Sequence, residues 1–433
     1  MNPDLLLVLG ILLSTASQLR PAGAPIGPGE VCFVIWIALM LCREKGLQGL
    51  RFTPALSRLL IFWLLFGAAQ CIGTLTGYAI ADVHDTSLFL HDVIAYPLLA
   101  TISLLSVVEP NPGLRLHRVA WLLVTFGSAI LGLQVLQDWG LVSIGSIDPW
   151  YWDRFRGLSQ NPNQLAILCA VLGLLCLHLA DVAASASERI AAIAAAVLPI
   201  YVGRLTKSDT FALVLVAAGP IFFALKMRAW LLTRQPRLAV RSAFAWIAVL
   251  ALPLLMAAAV PFGRSIGADT GTLAQDMAKG NEQDTEHTAK IRLQTWQRAF
   301  DRGLESGMLG LGPGPHLPIP PAILAERDDP TDEPGNLEHP ADNGTPNFEA
   351  HNTPLDIFTQ GGLLAVLCFA WLVGTAFLLT YRAGLDGLTT LLCGLIIFTI
   401  FHLIVRHPAF WLAIAMCLVT PERRKPSPMR AWS

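Results

Sequence analysis

The segment Glu349-Ala-His-Asn-Thr-Pro-Leu-Asp-Ile357 holds the residue best suited to move a proton. Thr353 reads as the N-cap of a helix, Pro354 as its first residue and Asp356 as a capping-box acid. His351 then stands two residues outside the helix, with Asn352 beside it. An unperturbed imidazole titrates near pH ~6.5, so it can accept a proton near neutrality. The plain alternative is a solvated loop histidine. A second helix start is Arg154-Phe-Arg-Gly-Leu-Ser-Gln-Asn-Pro-Asn-Gln-Leu-Ala166. Asn161 fits N-cap, Pro162 the first helical position, and Gln164 the third residue of a capping box. Free N–H groups and the positive dipole end make such a start an anion site. Arg156 lies five residues before the cap, with Asn163 just inside the helix. A well-capped helix with no ligand is the alternative. A third start, Arg204-Leu-Thr-Lys-Ser-Asp-Thr-Phe211, offers Ser208 or Asp209 as cap and adds Arg204 and Lys207. Taken alone, Arg154 and Lys207 read as snorkelling cations.

These starts must be positioned by a membrane protein. The 433 residues are 54% hydrophobic and 14% charged, where a soluble domain carries about a quarter charged residues. The apolar residues fall in blocks of the length that crosses a bilayer as helix. They are Leu5–Leu19, Gly29–Leu41, Leu59–Ile80, Leu88–Val108, Val119–Leu136, Gln164–Leu179, Ile190–Val202, Phe211–Leu225, Phe244–Phe262, Leu355–Thr380, Leu388–Val405 and Ala409–Leu418. The expected fold is all-α and polytopic, with about twelve spans. The basic stretches Arg43–Arg58, Arg115–Arg118, Lys226–Arg241 and Arg423–Arg430 alternate to one side, which the positive-inside rule makes the cytoplasm. Residues 263–352 then form one long periplasmic loop between spans in 1–262 and the last spans in 353–433. The first segment lacks a basic n-region and reads as a retained helix.

Within the long loop, Glu286–Ser306 reads as an amphipathic helix whose Leu293, Trp296 and Phe300 share a face. Gly310-Leu-Gly-Pro-Gly-Pro315 stops it, and the acidic stretch Pro318–Pro346 reads as irregular. The acidic loop excludes a nucleic-acid surface. Asp328-Asp329 and Asp332-Glu333 could hold a divalent cation, but a solvated acidic loop is the simpler reading. No metal site or cofactor is expected. All eight cysteines lie in or beside apolar segments, so no disulfide is expected. His91-Asp92, just inside a span, and the cluster His402, Arg406 and His407 are either functional or paired structurally.

Three groups of residues carry a resemblance to a known family. They are Arg156-Gly-Leu-Ser-Gln-Asn-Pro-Asn-Gln-Leu-Ala166; Arg292-Leu-Gln-Thr-Trp-Gln-Arg-Ala299 with Gly310-Leu-Gly-Pro-Gly314; and His351-Asn352, followed after nine residues by Gly362. In this order, on this topology, the chain resembles the O-antigen ligase family from about residue 120 to 380. That family also holds O-antigen and exopolysaccharide polymerases. The resemblance implies a metal-independent glycosyltransferase of a bacterial inner membrane, active at the periplasmic face. Its donor would be a glycan on polyprenyl pyrophosphate, its acceptor a lipid A core sugar or another saccharide. It implies His351 as general base and Arg292 on the pyrophosphate, with Arg156, Asn161, Asn163, Trp296 and Asn352 binding substrate. One departure is Ser208-Asp209, where the family has Ser-Arg. Arg204 or Lys207 would supply the missing charge, and the acid inclines the reading toward a polymerase. Rival readings are a flippase or other transporter of lipid-linked sugars and a non-catalytic assembly subunit.

Overall fold

A computed structural model describes residues 3–20, 26–42, 52–80, 86–108, 111–143, 147–232, 291–320 and 348–423. The described chain is almost wholly helical. Its helices are α1 (Pro3–Thr15), α2 (Pro28–Cys42), α3 (Pro54–Ile80), α4 (Thr86–Val107), α5 (Pro112–Asp138), α6 (Pro162–Val182), α7 (Ala186–Leu205), α8 (Asp209–Leu232), α9 (residues 291–305), α10 (Thr353–Arg382), α11 (Asp386–Phe401) and α12 (Pro408–Arg423). A hairpin of β1 (Trp150–Tyr151) and β2 (Arg154–Phe155) joins α5 to α6. Among the described residues, seven helices are long and apolar enough to cross a membrane: α3 to α8 and α10. Helices α1, α2, α11 and α12 are shorter apolar helices. The expected span Phe244–Phe262 lies outside the described residues, as do both acidic pairs of the long loop.

Helix α6 is the central one, with 78% of its apolar window buried. Gly387 of α11 meets it so closely that an added Cβ would lie 2.5 Å from the His178 Cα. The helix ends away from His351 are tied by charge. Asp4 accepts from Arg115 at 2.7 Å and Arg118 at 3.2 Å, and Lys226 bridges Asp181 and Asp386 at 2.5 and 2.9 Å. Two expectations need correction here. The block Leu388–Val405 is not one helix: α11 stops at Phe401, His402 is extended, and a short 3-10 turn covers Ile404–Arg406. Pro408 disfavours helix in the residue before it, and the Thr353 hydroxyl holds the break by bonding the His402 carbonyl and the Ile404 N–H. Likewise the block Leu5–Leu19 ends as α-helix at Thr15 and finishes in a 3-10 turn.

The feature that shapes the site is a broken helix. Gly362, inside α10, has φ +65° and ψ −163°, a conformation open in practice to glycine alone. The break frees backbone groups that must be satisfied where water is scarce. The Gly310–Gly314 loop does so: Leu311 N–H bonds the Thr359 carbonyl, Gly312 N–H the Gln360 carbonyl, and Leu363 N–H the Met308 carbonyl. Helix α3 makes room for that loop with two glycines one turn apart. A Cβ on Gly73 would lie 2.2 Å from the Gln360 oxygen, and one on Gly77 2.3 Å from the Leu311 oxygen.

Candidate functional site

His351 sits at the start of α10 with φ +51°, a left-handed backbone that costs a non-glycine residue about 1–3 kcal/mol. The surroundings enforce it. The Asp356 carboxylate accepts the N–H of Ala350 at 2.7 Å and that of Asn352 at 3.0 Å, bracketing His351 on both sides. The expected cap shifts by one residue. Asn352, not Thr353, is the N-cap, and its side-chain oxygen takes the Leu355 N–H at 3.1 Å. Thr353 is the first helical residue because its hydroxyl is already bonded at the α11–α12 corner. The Asn352 amide also donates to the Ile400 carbonyl at 2.9 Å. Trp296 of α9 donates to the Ala350 carbonyl at 3.1 Å. Trp296 and Asn352 therefore hold the His351 backbone from two sides.

Helix α9 buries a face lined by small residues. Leu293 and Phe300 are exposed, while Thr295, Ala299, Gly303 and Ser306 are buried beside the half-buried Trp296. The small residues decide this: a Cβ on Gly303 would lie 2.2 Å from the Phe358 ring. Arg292 extends from the first described turn of α9, with its guanidinium 5.9 Å from the Phe401 ring centre. No carboxylate among the described residues pairs with it.

The α11–α12 corner brings Arg406 against Asp92 of α4 and Glu349, each at 2.5 Å. Asp92 also accepts the Gly314 N–H at 3.0 Å and bonds His91 at 3.1 Å. Gln360 donates to the Gly314 carbonyl at 3.2 Å and accepts from Tyr96 at 2.6 Å. The network joins α4, the glycine loop, α10 and the corner around the segment that carries His351. His91, Asp92, His402, Arg406 and His407 stand out in the sequence; Tyr96, Gln360 and Glu349 do not. Gln360 carried one usable signal, a polar residue inside an apolar span.

The starts of α6 and α8 form the other wall. Asn161 caps α6, accepting the Asn163 N–H at 2.7 Å, with Pro162 as first helical residue. Gln164 is not a capping-box partner, because Ser17 bonds its oxygen at 3.4 Å. Arg154 donates to the Asn163 side chain at 2.9 Å and to the Thr206 carbonyl at 3.1 Å, which ties the hairpin to both helices. Arg156 points elsewhere. Its Nε donates to the Asp148 carbonyl at 3.2 Å, its Nη2 lies 3.8 Å from the Asp148 carboxylate, and its guanidinium is 5.4 Å from the Tyr151 ring centre. Lys207 pairs with Asp153 at the hairpin turn and holds that carboxyl below its usual range. Arg204 is half-buried, and its Nε has no hydrogen-bond partner among the described residues. Asp209 is exposed at the first turn of α8.

These walls share one field. Burial, opposed by Glu349 and reinforced by Arg292 and Arg406, lowers the His351 imidazole below its ordinary pKa. The side chain remains exposed, so its desolvation is partial. His402 is pushed down to about 3 by burial, then by His351, Arg292, His407 and Arg154. Its Nε2 is buried with no hydrogen-bond partner among the described residues. Arg154, Arg292 and His351 thus each bear on the His402 imidazole, and Arg292 on His351 as well. Neutral imidazoles beside guanidiniums can accept a proton and stabilise an anion in the same place.

Fold and site together are those of a multi-pass membrane protein with a cation-rich polar site at one end of its helices. The family model described as O-antigen ligase matches residues 194–370, and the match supports the O-antigen ligase and polymerase family for this chain. That family implies a glycosyl-transfer enzyme. The matched residues include Arg204, Lys207, Arg292, Trp296, His351 and Asn352, while the hairpin, Asp92 and the Arg406 corner lie outside them. No curated protein matches the chain.

Proposed function

We propose that the protein transfers a glycan from polyprenyl pyrophosphate to a saccharide hydroxyl at the periplasmic face of a bacterial inner membrane. The acceptor is a lipid A core sugar or the end of another glycan. Its oxygen attacks the anomeric carbon of the donor, the bond from that carbon to the pyrophosphate oxygen breaks, and the hydroxyl proton passes to His351. Negative charge grows on the departing pyrophosphate. Arg292 and Arg154 meet it, with Arg204 in reserve at the α7 end and the N–H groups of the α6 start beside them. Arg156 contributes from the rim, because Asp148 offsets its charge. Lys207 acts through Asp153, as a brace for the hairpin. Asn161, Asn163, Trp296 and Asn352 position the groups that touch substrate. Guanidiniums supply the charge that a metal would otherwise supply.

One observation carries this reading: Asp356, Trp296 and Asn352 fix the backbone around His351, and Arg292 stands one turn before Trp296 on α9, against the Phe401 ring. The periplasmic placement is supported by the opposite helix ends, where Arg115, Arg118, Lys226 and Arg228 gather. The family match does not favour a transporter. The test is where the lipid-linked glycan accumulates in cells lacking the protein. Donor facing outward, susceptible to enzymes added outside, is the expected result. Donor held facing the cytoplasm would make the protein a flippase.

A further inference from the structure

The hairpin between α5 and α6 turns at Trp152-Asp153. Trp152 there has φ +54°, a backbone that glycine, asparagine and aspartate tolerate and bulky residues disfavour. The residue is nevertheless 71% exposed. The ring therefore gains little from the fold to offset the strain, which points to a use outside the folded chain. The neighbouring Tyr151 ring lies nearly parallel, with centres 6.1 Å apart and planes at 19°. The Arg156 guanidinium sits over the Tyr151 ring, 5.4 Å from its centre. The platform has a rigid base. Asp153 is tied to Lys207, Arg154 is bonded to Asn163 and Thr206, and Trp150 packs edge-on against the fully buried Phe155.

We propose that Tyr151 and Trp152 form a stacking platform for a pyranose ring of the lipid-linked glycan. The inference rests on the glycosyl-transfer reading and adds a sugar subsite to it. A pyranose ring has an apolar C–H face and a polar rim, so it packs flat on an aromatic face while its hydroxyls reach charged neighbours. Asp153 and Arg156 are such neighbours. Trp152 and Arg154 are two residues apart, at most roughly 7 Å between Cα atoms. A sugar on the rings thus lies on the same hairpin as Arg154, one of the proposed pyrophosphate cations. The competing use of an exposed tryptophan here is anchorage in the membrane interface.

The test uses the full chain in lipid nanodiscs with two probes. One is lipid-linked glycan extracted from the host's own membranes; the other is farnesyl pyrophosphate, which carries no sugar. Trp152→Ala and Tyr151→Ala should weaken binding of the extracted glycan lipid roughly tenfold and leave farnesyl pyrophosphate unchanged. Trp152→Phe should keep most of the affinity. Trp152→Leu should behave like Trp152→Ala, because leucine keeps apolar character for an anchor but has no flat face. Wild-type glycan binding by Trp152→Leu, or equal weakening of both probes, overturns the platform. Arg154→Ala reports separately: unchanged farnesyl pyrophosphate binding by that variant would strike the anion site and not the rings.

Discussion

At the scale of single residues, His351 and the cations around it make sharp demands. Its imidazole must be neutral to take the acceptor proton, and its folded pKa is lowered. Activity should therefore be full above that lowered value and fall as pH drops through it, so the acid limb of the pH–rate profile should lie below ~6.5. Glu349 is the group that opposes the lowering. Glu349→Gln should move the limb further to the acid side, and a limb that moves upward would contradict the assigned field. The arginines separate as well. Arg154→Ala should lower donor affinity at least tenfold, the scale of one lost charge-assisted hydrogen bond at about 1.5–3 kcal/mol. Arg156→Ala should cost less, because Asp148 already offsets it. Donor-binding assays giving the reverse order would show that the rim arginine holds the pyrophosphate. The sequence singles out His351 because a capped helix start is a local pattern. It favours Arg156 and reads Arg154 as a snorkelling cation, because the hairpin's docking onto Asn163 and Thr206 is not written in the residues nearby.

At the scale of elements, the site depends on the glycine loop seated between α3 and the break in α10. Gly73→Ala puts a methyl 2.2 Å from a backbone oxygen that no rotamer change can move. It should lower stability by about 1–3 kcal/mol and activity with it, as measured by thermal unfolding in detergent and by transfer. Gly67→Ala, with nothing within 4 Å of the added carbon, is the control on the same helix. Normal stability and activity of Gly73→Ala would mean that the loop does not sit there. The α11–α12 corner adds a pH dependence. His402 and His407 are lowered to about 3 and about 4, chiefly by burial, from ~6.5 when unfolded. Below pH ~6.5 the unfolded chain binds protons that the folded chain refuses, so stability falls as pH drops toward 4. His407→Gln should flatten that fall in the melting temperature; an unchanged slope would show that His407 is not kept neutral by the fold. Helix positions were legible from hydropathy, since backbone in lipid has few alternatives. The Asp92–Arg406 pair was not, because it joins residues 314 apart in sequence through a loop docked on a broken helix. The buried face of α9 is not marked in the sequence because large apolar side chains outweigh Ala299 and Gly303 in any periodicity, and here small size decides the contact.

At the scale of the molecule, charges gather at both ends of the helices but differ in kind. One end pairs Arg115, Arg118 and Lys226 with carboxylates; the other pairs Arg406 with Asp92 and Glu349 but leaves Arg292 against the Phe401 ring with no carboxylate partner among the described residues. Cysteine labelling tests the proposed orientation. An impermeant thiol reagent added outside should reach a cysteine at the exposed Glu305 and not one at the exposed Ser187. The reverse would turn the site to the cytoplasm and undo the assignment of a periplasmic acceptor. The central claim is chemical, and one measurement meets it most directly. The full chain in proteoliposomes is given extracted lipid-linked glycan and acceptor, and transfer and donor binding are followed together for the wild type and His351→Gln. The account predicts that the variant binds donor normally and transfers roughly 10²–10⁴-fold more slowly. A His351→Gln protein that binds donor and turns over at near the wild-type rate would contradict it.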